Sequence, residues 1–292
     1  MASNKKANII TLTTDMGVKD YYVAALKGKI IGILSDIHIV DISHHIASFK
    51  ISQAAYTVKA CIKDFPDNTV HIIGVDAEPL INFSNPEDSI FPTIIKYKKQ
   101  YFLGADNGFF SLLTNDQDIE GIWRLEEYLS RPEMMKFPAK NILVPAACRI
   151  LTGESLDEIG TPVDGIRKAL PLSPIMSNNM LKGTVIHIDH YGNVISNITK
   201  EHFNHFGPDV PFTIFFRDKQ YYIDRISTGY NEVTHGEKLA FFNDNGFLEI
   251  AINKGTPENG GGANTLLGLK LNDIIRIEFT PRGSKTTIDS LF

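Results

Sequence analysis

The chain has 292 residues, 43% hydrophobic and 22% charged, which suits one large or two smaller globular domains and excludes wholesale disorder. A net charge of −5 argues against a dedicated nucleic-acid binder, whose phosphate contacts need a basic excess. Two cysteines, Cys61 and Cys148, are too few for a disulfide framework or a four-thiolate zinc site.

The start of the chain carries two lysines but no signal-peptide apolar region, and no apolar run is long enough to span a bilayer. A soluble cytoplasmic protein with no membrane or nucleic-acid partner is therefore expected. Residues 9–12 form a short apolar run that ends in Thr13-Thr14-Asp15-Met16-Gly17, the pattern of a buried strand delivering polar groups at its end. Val23, Leu26, Ile30, Ile33 and Leu34 then recur at helical spacing, with Asp20 placed to cap or charge the helix start. A second strand over 37–42 ends at Ser43-His44-His45. A second helix carries Ile51, Ala54, Val58, Ile62 and Phe65 on one face, and a third strand over 70–75 ends in Asp76. This β-α-β-α-β order predicts a mostly parallel sheet covered by helices. Ligands of open α/β sheets bind at the carboxyl ends of the strands, where Asp15, the 43–45 stretch and Asp76 are all delivered.

Strands follow over 93–98 and 101–103, then Ala105-Asp106-Asn107-Gly108. Residues 142–151 read as a helix with Pro145 in its first turn. The pattern fades over 166–181, where Pro171, Pro174 and Asn178-Asn179 mark a linker. Beyond it the chain reads as all-β. Strands over 185–188 and 194–198 flank Asp189–Asn193, those over 212–216 and 221–226 flank 217–220, and those over 239–242 and 247–252 flank an Asn-Gly turn at 243–246. A last strand covers 274–279. The expected organisation is an α/β domain over 1–165, a linker over 166–181 and a small β-barrel over 182–292.

Chemistry-bearing residues are few. A carboxylate at a strand end, such as Asp15, accepts two hydrogen bonds from a vicinal diol, or simply serves a turn. Asp15, Asp41, His44 and Asp76 admit a metal reading, but adjacent histidines in extended chain point opposite ways and no paired-ligand motif is present. No nucleophile elbow, P-loop or dinucleotide glycine pattern occurs, and both cysteines fall in helical stretches. Asp189 and Asn193 offer donors and acceptors, or form a polar hairpin loop. Trp123 and Phe109-Phe110 read as core.

Taken in order, Leu12-Thr13-Thr14-Asp15-Met16-Gly17 with Asp20, Val40-Asp41-Ile42-Ser43-His44, Ala105-Asp106-Asn107-Gly108 and Ile188-Asp189-His190-Tyr191-Gly192-Asn193 with Asn197 form a specific series. Gly236-Glu237 and Asn245-Gly246-Phe247-Leu248-Glu249-Ile250-Ala251 extend it. The series resembles the S-adenosylmethionine hydroxide adenosyltransferase family, relatives of the fluorinases and chlorinases, over nearly the whole chain. The resemblance implies an α/β domain, a C-terminal barrel and a homotrimer with sites between subunits. S-adenosylmethionine would be the substrate and no separate cofactor is implied. Asp15 would hold the ribose hydroxyls and Phe49 would pack on the nucleoside. Asp20, Asp189 and Asn193 would line the amino-acid or adenine ends, with Asn107 also in the site. The implied reaction is displacement at ribose C5′ by water, in which Asp76 matches the family's aspartate in V-D-P-G-V-G.

The match departs in two places. No glycine loop follows Asp76 and no arginine occurs from there through Tyr101, Asn82, Phe83 or Ser84 standing at the expected place. Lys136-Phe137-Pro138-Ala139-Lys140-Asn141 aligns with the family's T-F-H-G-R-D, which puts Pro138 where the histidine stands. The resemblance therefore leaves two readings: a hydrolase, slow or altered, in which Asp76 orients water with Glu78 or Lys140, or a catalytically degenerate protein that binds S-adenosylmethionine or adenosine.

Overall fold

Short runs rich in Ile, Val and Thr make the strands that organise the first half of the chain: β1 (Ile9–Thr14) and β3 (Val70–Gly74), buried on both faces, and the more exposed edge strand β2 (His38–Ser43). The computed structural model describes residues 8–280 apart from 83, 86, 87, 208 and 209; at 128, 129 and 218–220 it describes the backbone only. The chain divides into two compact units, Met1–Leu170 and Pro171–Phe292.

In the first unit β1 pairs in parallel with β2 and β3, and β3 with β5 (Gln100–Ala105). The crossovers are α1 (Tyr22–Ile33) and α2 (Ile51–Cys61). The other half of the sheet is antiparallel: β4 (Pro92–Tyr97) pairs with β5 and with β6 (Ile119–Arg124), and β6 with β7 (Thr161–Pro162). The order is β2-β1-β3-β5-β4-β6-β7, so the sheet is mixed rather than mostly parallel. The physical reason is local. Tyr97 pairs with Gln100 across Lys98 and Lys99, whose φ angles of 48° and 58° are the left-handed values of a two-residue hairpin. A turn that short forces antiparallel pairing, whereas a parallel return needs a dozen or more residues.

The helix α1 also departs from expectation at its start. Tyr21 precedes it in helical conformation with no side-chain cap, and Asp20 is exposed and outside the first turn. One face of the sheet buries Ile10, Leu12 and Ile72 under Leu26 and Ile30 of α1 and Ala146 and Ala147 of α4 (Val144–Leu151). The other buries Ile73 and Phe102 under Ala54 and Val58 of α2 and Phe109 and Phe110 of α3 (Phe109–Thr114). Trp123 packs at the rim of the first core and donates its indole N–H to Asp157 at 2.7 Å.

The second unit is antiparallel throughout. The strand order is β12-β11-β15-β9-β10-β14-β13, with β8 (Ile175–Ser177) paired to β9 (Met180–Ile188), giving a nearly closed, barrel-like sheet. The remaining strands are β10 (Val194–Thr199), β11 (Phe212–Phe216), β12 (Asp218–Ile223), β13 (Lys238–Phe242), β14 (Phe247–Ile252) and β15 (Ile274–Phe279). Leu181, Ile214, Phe216, Ile250, Ile275 and Ile277 fill its interior. Gly246 takes φ 76° in the β13–β14 turn, as an Asn-Gly hairpin requires. Of the stretch 166–181, Arg167 donates its N–H to the Asp106 carboxylate at 3.0 Å in the first unit, while Ile175–Ser177 is a strand of the second.

Candidate active site

The register of the parallel strands sets up the site. Thr14 at the end of β1 lies opposite Gly74 at the end of β3, so the residues that follow, Asp15 and Asp76, leave the sheet at the same edge. The two loops beyond β1 and β2 are tied together. Gly17 donates its N–H to the His44 carbonyl at 2.8 Å, and the Thr14 hydroxyl lies 2.8 Å from His44 Nδ1. His44 is buried, its Nε2 is 3.1 Å from Asp41 Oδ1, and Lys27 Nζ is 2.5 Å from Asp41 Oδ2. Burial alone would push the Asp41 carboxyl up, but the hydrogen bonds and charges of Lys27 and His44 outweigh it and hold the group below the ordinary carboxylate range.

Asp15 Oδ2 accepts the backbone N–H of Phe49 at 2.9 Å, where Phe49 takes a left-handed φ of 64°. The contact uses one of several lone pairs and leaves the rest of the carboxylate available to hydroxyl donors. The Phe49 ring is 67% exposed, an unusual position for a phenyl group and a face on which a flat ligand could stack. Asp76 also has a left-handed backbone, φ 46°, and Asn107 Nδ2 donates to its carbonyl at 2.9 Å and approaches its Oδ2 at 3.5 Å. Asn107 Oδ1 in turn accepts the N–H of Phe109 at the start of α3, which fixes the amide orientation.

Asp15, Phe49 and Asp76 line one cavity of about 310 Å³, together with Glu78 and Pro138. This is the small end of the roughly 300–1,000 Å³ typical of ligand clefts. Gly74 lines it too: a Cβ there would stand 3.1 Å from Thr14 Cγ2 and 3.3 Å from Met16 Cε, tight enough that these neighbours would have to give way. Pro138 is buried against the cavity at the entry to a π-helical turn, Ala139–Leu143. Phe137 meets the edge of Tyr22 with centroids 5.5 Å apart, and Lys140 Nζ sits 5.3 Å from the Phe137 ring centre rather than lining the cavity.

Among the expected residues, Asp15, Phe49, Asp76, Glu78 and Pro138 thus come together, and Asn107 acts behind Asp76. Asp20 is exposed and does not line the cavity. Phe83 lies outside the described residues. Lys136, Met16 and Tyr22 also line the cavity and were not singled out from sequence. Lys136 stood in the segment aligned for its histidine position, so attention to every polar residue there would have found it. His45 is exposed while His44 is buried, as alternating side chains require. Both His44 ring nitrogens face protein partners, and among the described residues no group of three or more His, Cys, Asp or Glu side chains could hold a metal ion. Burial raises the Cys61 thiol and pushes Cys148 up to about 11, which disfavours the thiolate form of both.

The second unit holds Asp189 and Asn193 in the β9–β10 turn. Asp189 Oδ1 accepts the Asn193 N–H at 2.8 Å and Oδ2 accepts Asn193 Nδ2 at 3.0 Å. The same Nδ2 lies 3.1 Å from the Tyr230 hydroxyl, which donates to Glu249 Oε1 at 3.0 Å, while Asn243 Nδ2 donates to Glu249 Oε2 at 3.1 Å. Burial raises Glu249 above the ordinary carboxyl range against these hydrogen bonds. Tyr230 is raised by burial and by the adjacent Glu249 charge. Both donors of the Asn193 amide are consumed, so its Oδ1 is the atom left for a ligand. Asn193, Tyr191, Tyr230 and Asn253 line a cavity of about 620 Å³ with the 254–256 loop. Tyr230 carried no sequence signal, because it reaches Asn193 from 37 positions away.

Residues 10–160 match the SAM hydroxide adenosyltransferase N-terminal domain and residues 183–276 the SAM hydroxide adenosyltransferase C-terminal domain. An (R)-S-adenosyl-L-methionine hydrolase of Methanocaldococcus jannaschii is 34% identical over 204 residues, covering 66% of this chain and 68% of that protein. A protein of the same name from Thermus thermophilus is 22% identical over 282 residues, covering 90% and 97%. The crystal structure of an uncharacterized conserved protein from Thermotoga maritima superposes with a TM-score of 0.77 at 26% identity, covering 92% of this chain and 99% of that one.

Proposed function

This chain belongs to the SAM hydroxide adenosyltransferase family, and from that premise we propose that it hydrolyses S-adenosylmethionine to adenosine and methionine. The observation that carries the reading is the meeting of Asp15, Phe49 and Asp76 around one cavity at the carboxyl edge of the parallel strands.

In this reading Asp15 accepts the paired ribose hydroxyls, with its orientation set by the Phe49 N–H. The Phe49 ring covers the nucleoside. Water attacks C5′ in line with sulfur, the C5′–S bond breaks, its electron pair stays on methionine as a neutral thioether, and the water proton passes to Asp76 or to solvent. Most of the rate comes from alignment and exclusion of bulk water. Asp76, held at its carbonyl by Asn107, orients the attacking water. Glu78 and Lys136 at the same cavity are the remaining groups able to assist proton movement. Asp189 and Asn193 serve the other end of the ligand, with the free Asn193 Oδ1 accepting an amino N–H. The assembly proposed is a homotrimer, each site completed by the second unit of a neighbouring subunit, in the cytoplasm and with no cofactor beyond the substrate.

The placement of Pro138 favours one competing reading. A buried proline has no side-chain proton to give at this cavity, which suits a binding protein that no longer turns over. Incubation with S-adenosylmethionine in ¹⁸O-water, followed by chromatography and mass spectrometry, separates the two. Hydrolysis gives equimolar methionine and adenosine with ¹⁸O at the 5′-hydroxyl, and Asp76→Asn suppresses both products. Calorimetric binding without products overturns turnover and leaves the binding reading. Absence of binding overturns both. Light scattering at one chain mass would remove the shared-site assembly.

A further inference from the structure

A second cavity, about 810 Å³, opens on the outer face of the barrel-like sheet and is lined by Lys182, Arg217, Lys270 and Arg276. Its position follows from the register. Phe215 of β11 lies opposite Arg276 of β15, which lies opposite Lys182 of β9, so the three side chains form one row on one face of the sheet. The flanking residues Ile214, Ile275, Ile277 and Leu181 fill the interior, so the row faces outward. Two cations directly opposite each other across strands repel and weaken a sheet. Among the described residues Lys182 and Lys270 have no carboxylate partner, while Arg276 pairs with Glu278 at 3.2 Å. Asp273 spends a carboxylate oxygen on the Lys270 backbone N–H at 2.9 Å, which orders the loop that carries Lys270. Among the side chains described, four cations therefore stand against two carboxylates, in a chain whose net charge is −5.

Arg217 is exposed and is tied to the backbone at one point. It takes φ 56°, a left-handed conformation that disfavours side-chain-bearing residues, and its Nη1 donates to the Gly268 carbonyl at 3.1 Å. Gly268 has a left-handed φ of 64°, and a Cβ there would displace the Arg217 guanidinium from its present position. Beside it the Arg276 guanidinium lies 5.1 Å from the centre of the Phe215 ring, whose burial on an outward row shields one side of the charge from water.

The geometry points to a binding site for a polyphosphate chain, free or carried by a nucleotide, on this face of the second unit. One phosphate cannot neutralise cations contributed by a strand pair, the β11–β12 turn and the 268–273 loop together, whereas a chain of two or three phosphates can bridge them. Guanidinium groups suit phosphate oxygens through paired N–H donors.

The test is titration calorimetry on the full chain saturated with adenosine, which keeps nucleotide out of any nucleoside site. Tripolyphosphate is expected to bind at about millimolar affinity or tighter, at least about tenfold more tightly than orthophosphate, and more weakly as salt is raised. ATP binding as tightly as tripolyphosphate assigns the site to the phosphate chain alone; tighter ATP binding assigns a nucleotide. Lys182→Glu is expected to cut tripolyphosphate affinity at least about tenfold and yet raise the melting temperature, because it replaces a like-charged cross-strand pair by an opposite one. Lys270→Gln, on the loop, should weaken binding without touching the sheet. The proposal falls if tripolyphosphate gives no binding, or if its affinity is unchanged in both variants.

Discussion

Thr14 and His44 join the ends of two neighbouring parallel strands, the hydroxyl of one lying 2.8 Å from the Nδ1 of the other. Asp15 is the next residue after Thr14, so the carboxylate that faces the cavity is carried on a strand end clamped by a buried imidazole. Behind it stand Asp41 and Lys27, which complete the polar chain out to the surface.

Removing that imidazole leaves the buried Thr14 hydroxyl short of a partner, a loss of about 1–3 kcal/mol, while the exposed Asp41 keeps Lys27 and water. His44→Ala is expected to lower the melting temperature by several degrees and to weaken adenosine binding, since the loop after β1 loses its anchor. Calorimetry and a thermal melt check both, and an unchanged affinity in a destabilised variant would confine His44 to a structural part.

Asp15→Asn keeps shape but replaces a charged acceptor by a neutral amide. Hydrogen bonds to charged groups exceed neutral ones by about 1–2 kcal/mol, so adenosine affinity is expected to fall roughly ten- to hundredfold. The melting temperature should hardly change, because the Phe49 N–H still finds an amide oxygen. Equal affinity in wild type and variant would detach Asp15 from the ribose.

Pro138→His restores a titratable group at a cavity wall. Pro138 has φ −59° and ψ −41°, values histidine adopts without strain. General acid–base help typically contributes about 10²–10⁴-fold, so this one group is expected to raise S-adenosylmethionine hydrolysis at least about tenfold, measured as adenosine formed per hour. No increase in a folded variant would mean that position 138 does not face the reacting carbon.

His71 supplies a pH dependence. It is fully buried in β3, with Nδ1 2.7 Å from the Thr11 hydroxyl and Nε2 3.1 Å from Gln100 Oε1, and burial drives it down to about 4. Between about 4 and the unfolded value of about 6.5 the unfolded chain binds the proton and the folded chain does not. Stability is therefore complete above 6.5 and falls as pH drops toward 4, by about 3 kcal/mol. His71→Gln is expected to be less stable at pH 7 but flatter through this window, as read from urea midpoints at successive pH values. Parallel curves for the two proteins would contradict the assignment.

Much of the site was legible in the amino-acid order because it is built from local patterns. The apolar runs before Thr13, Ser43 and Asp76 identify buried strands by composition alone. Residues just past such runs reach the carboxyl edge of a parallel sheet whatever the remainder of the chain does, which is why Asp15 and Asp76 could be paired on paper. Pairing direction beyond β5 depended on the backbone of Lys98 and Lys99, where a two-residue turn made an antiparallel hairpin and the mixed sheet. The partners that make the site stiff, Asn107 on the Asp76 carbonyl and Tyr230 on Asn193, lie about 30 to 40 positions away and are chosen by packing. The like-charged pair of Lys182 and Arg276 is equally silent in sequence, since strand register brings it together over 94 positions. Hydrophobic periodicity has the range of a few residues and therefore writes the elements into the chain; hydrogen bonds and charges act through space, so only the folded arrangement decides which of them meet.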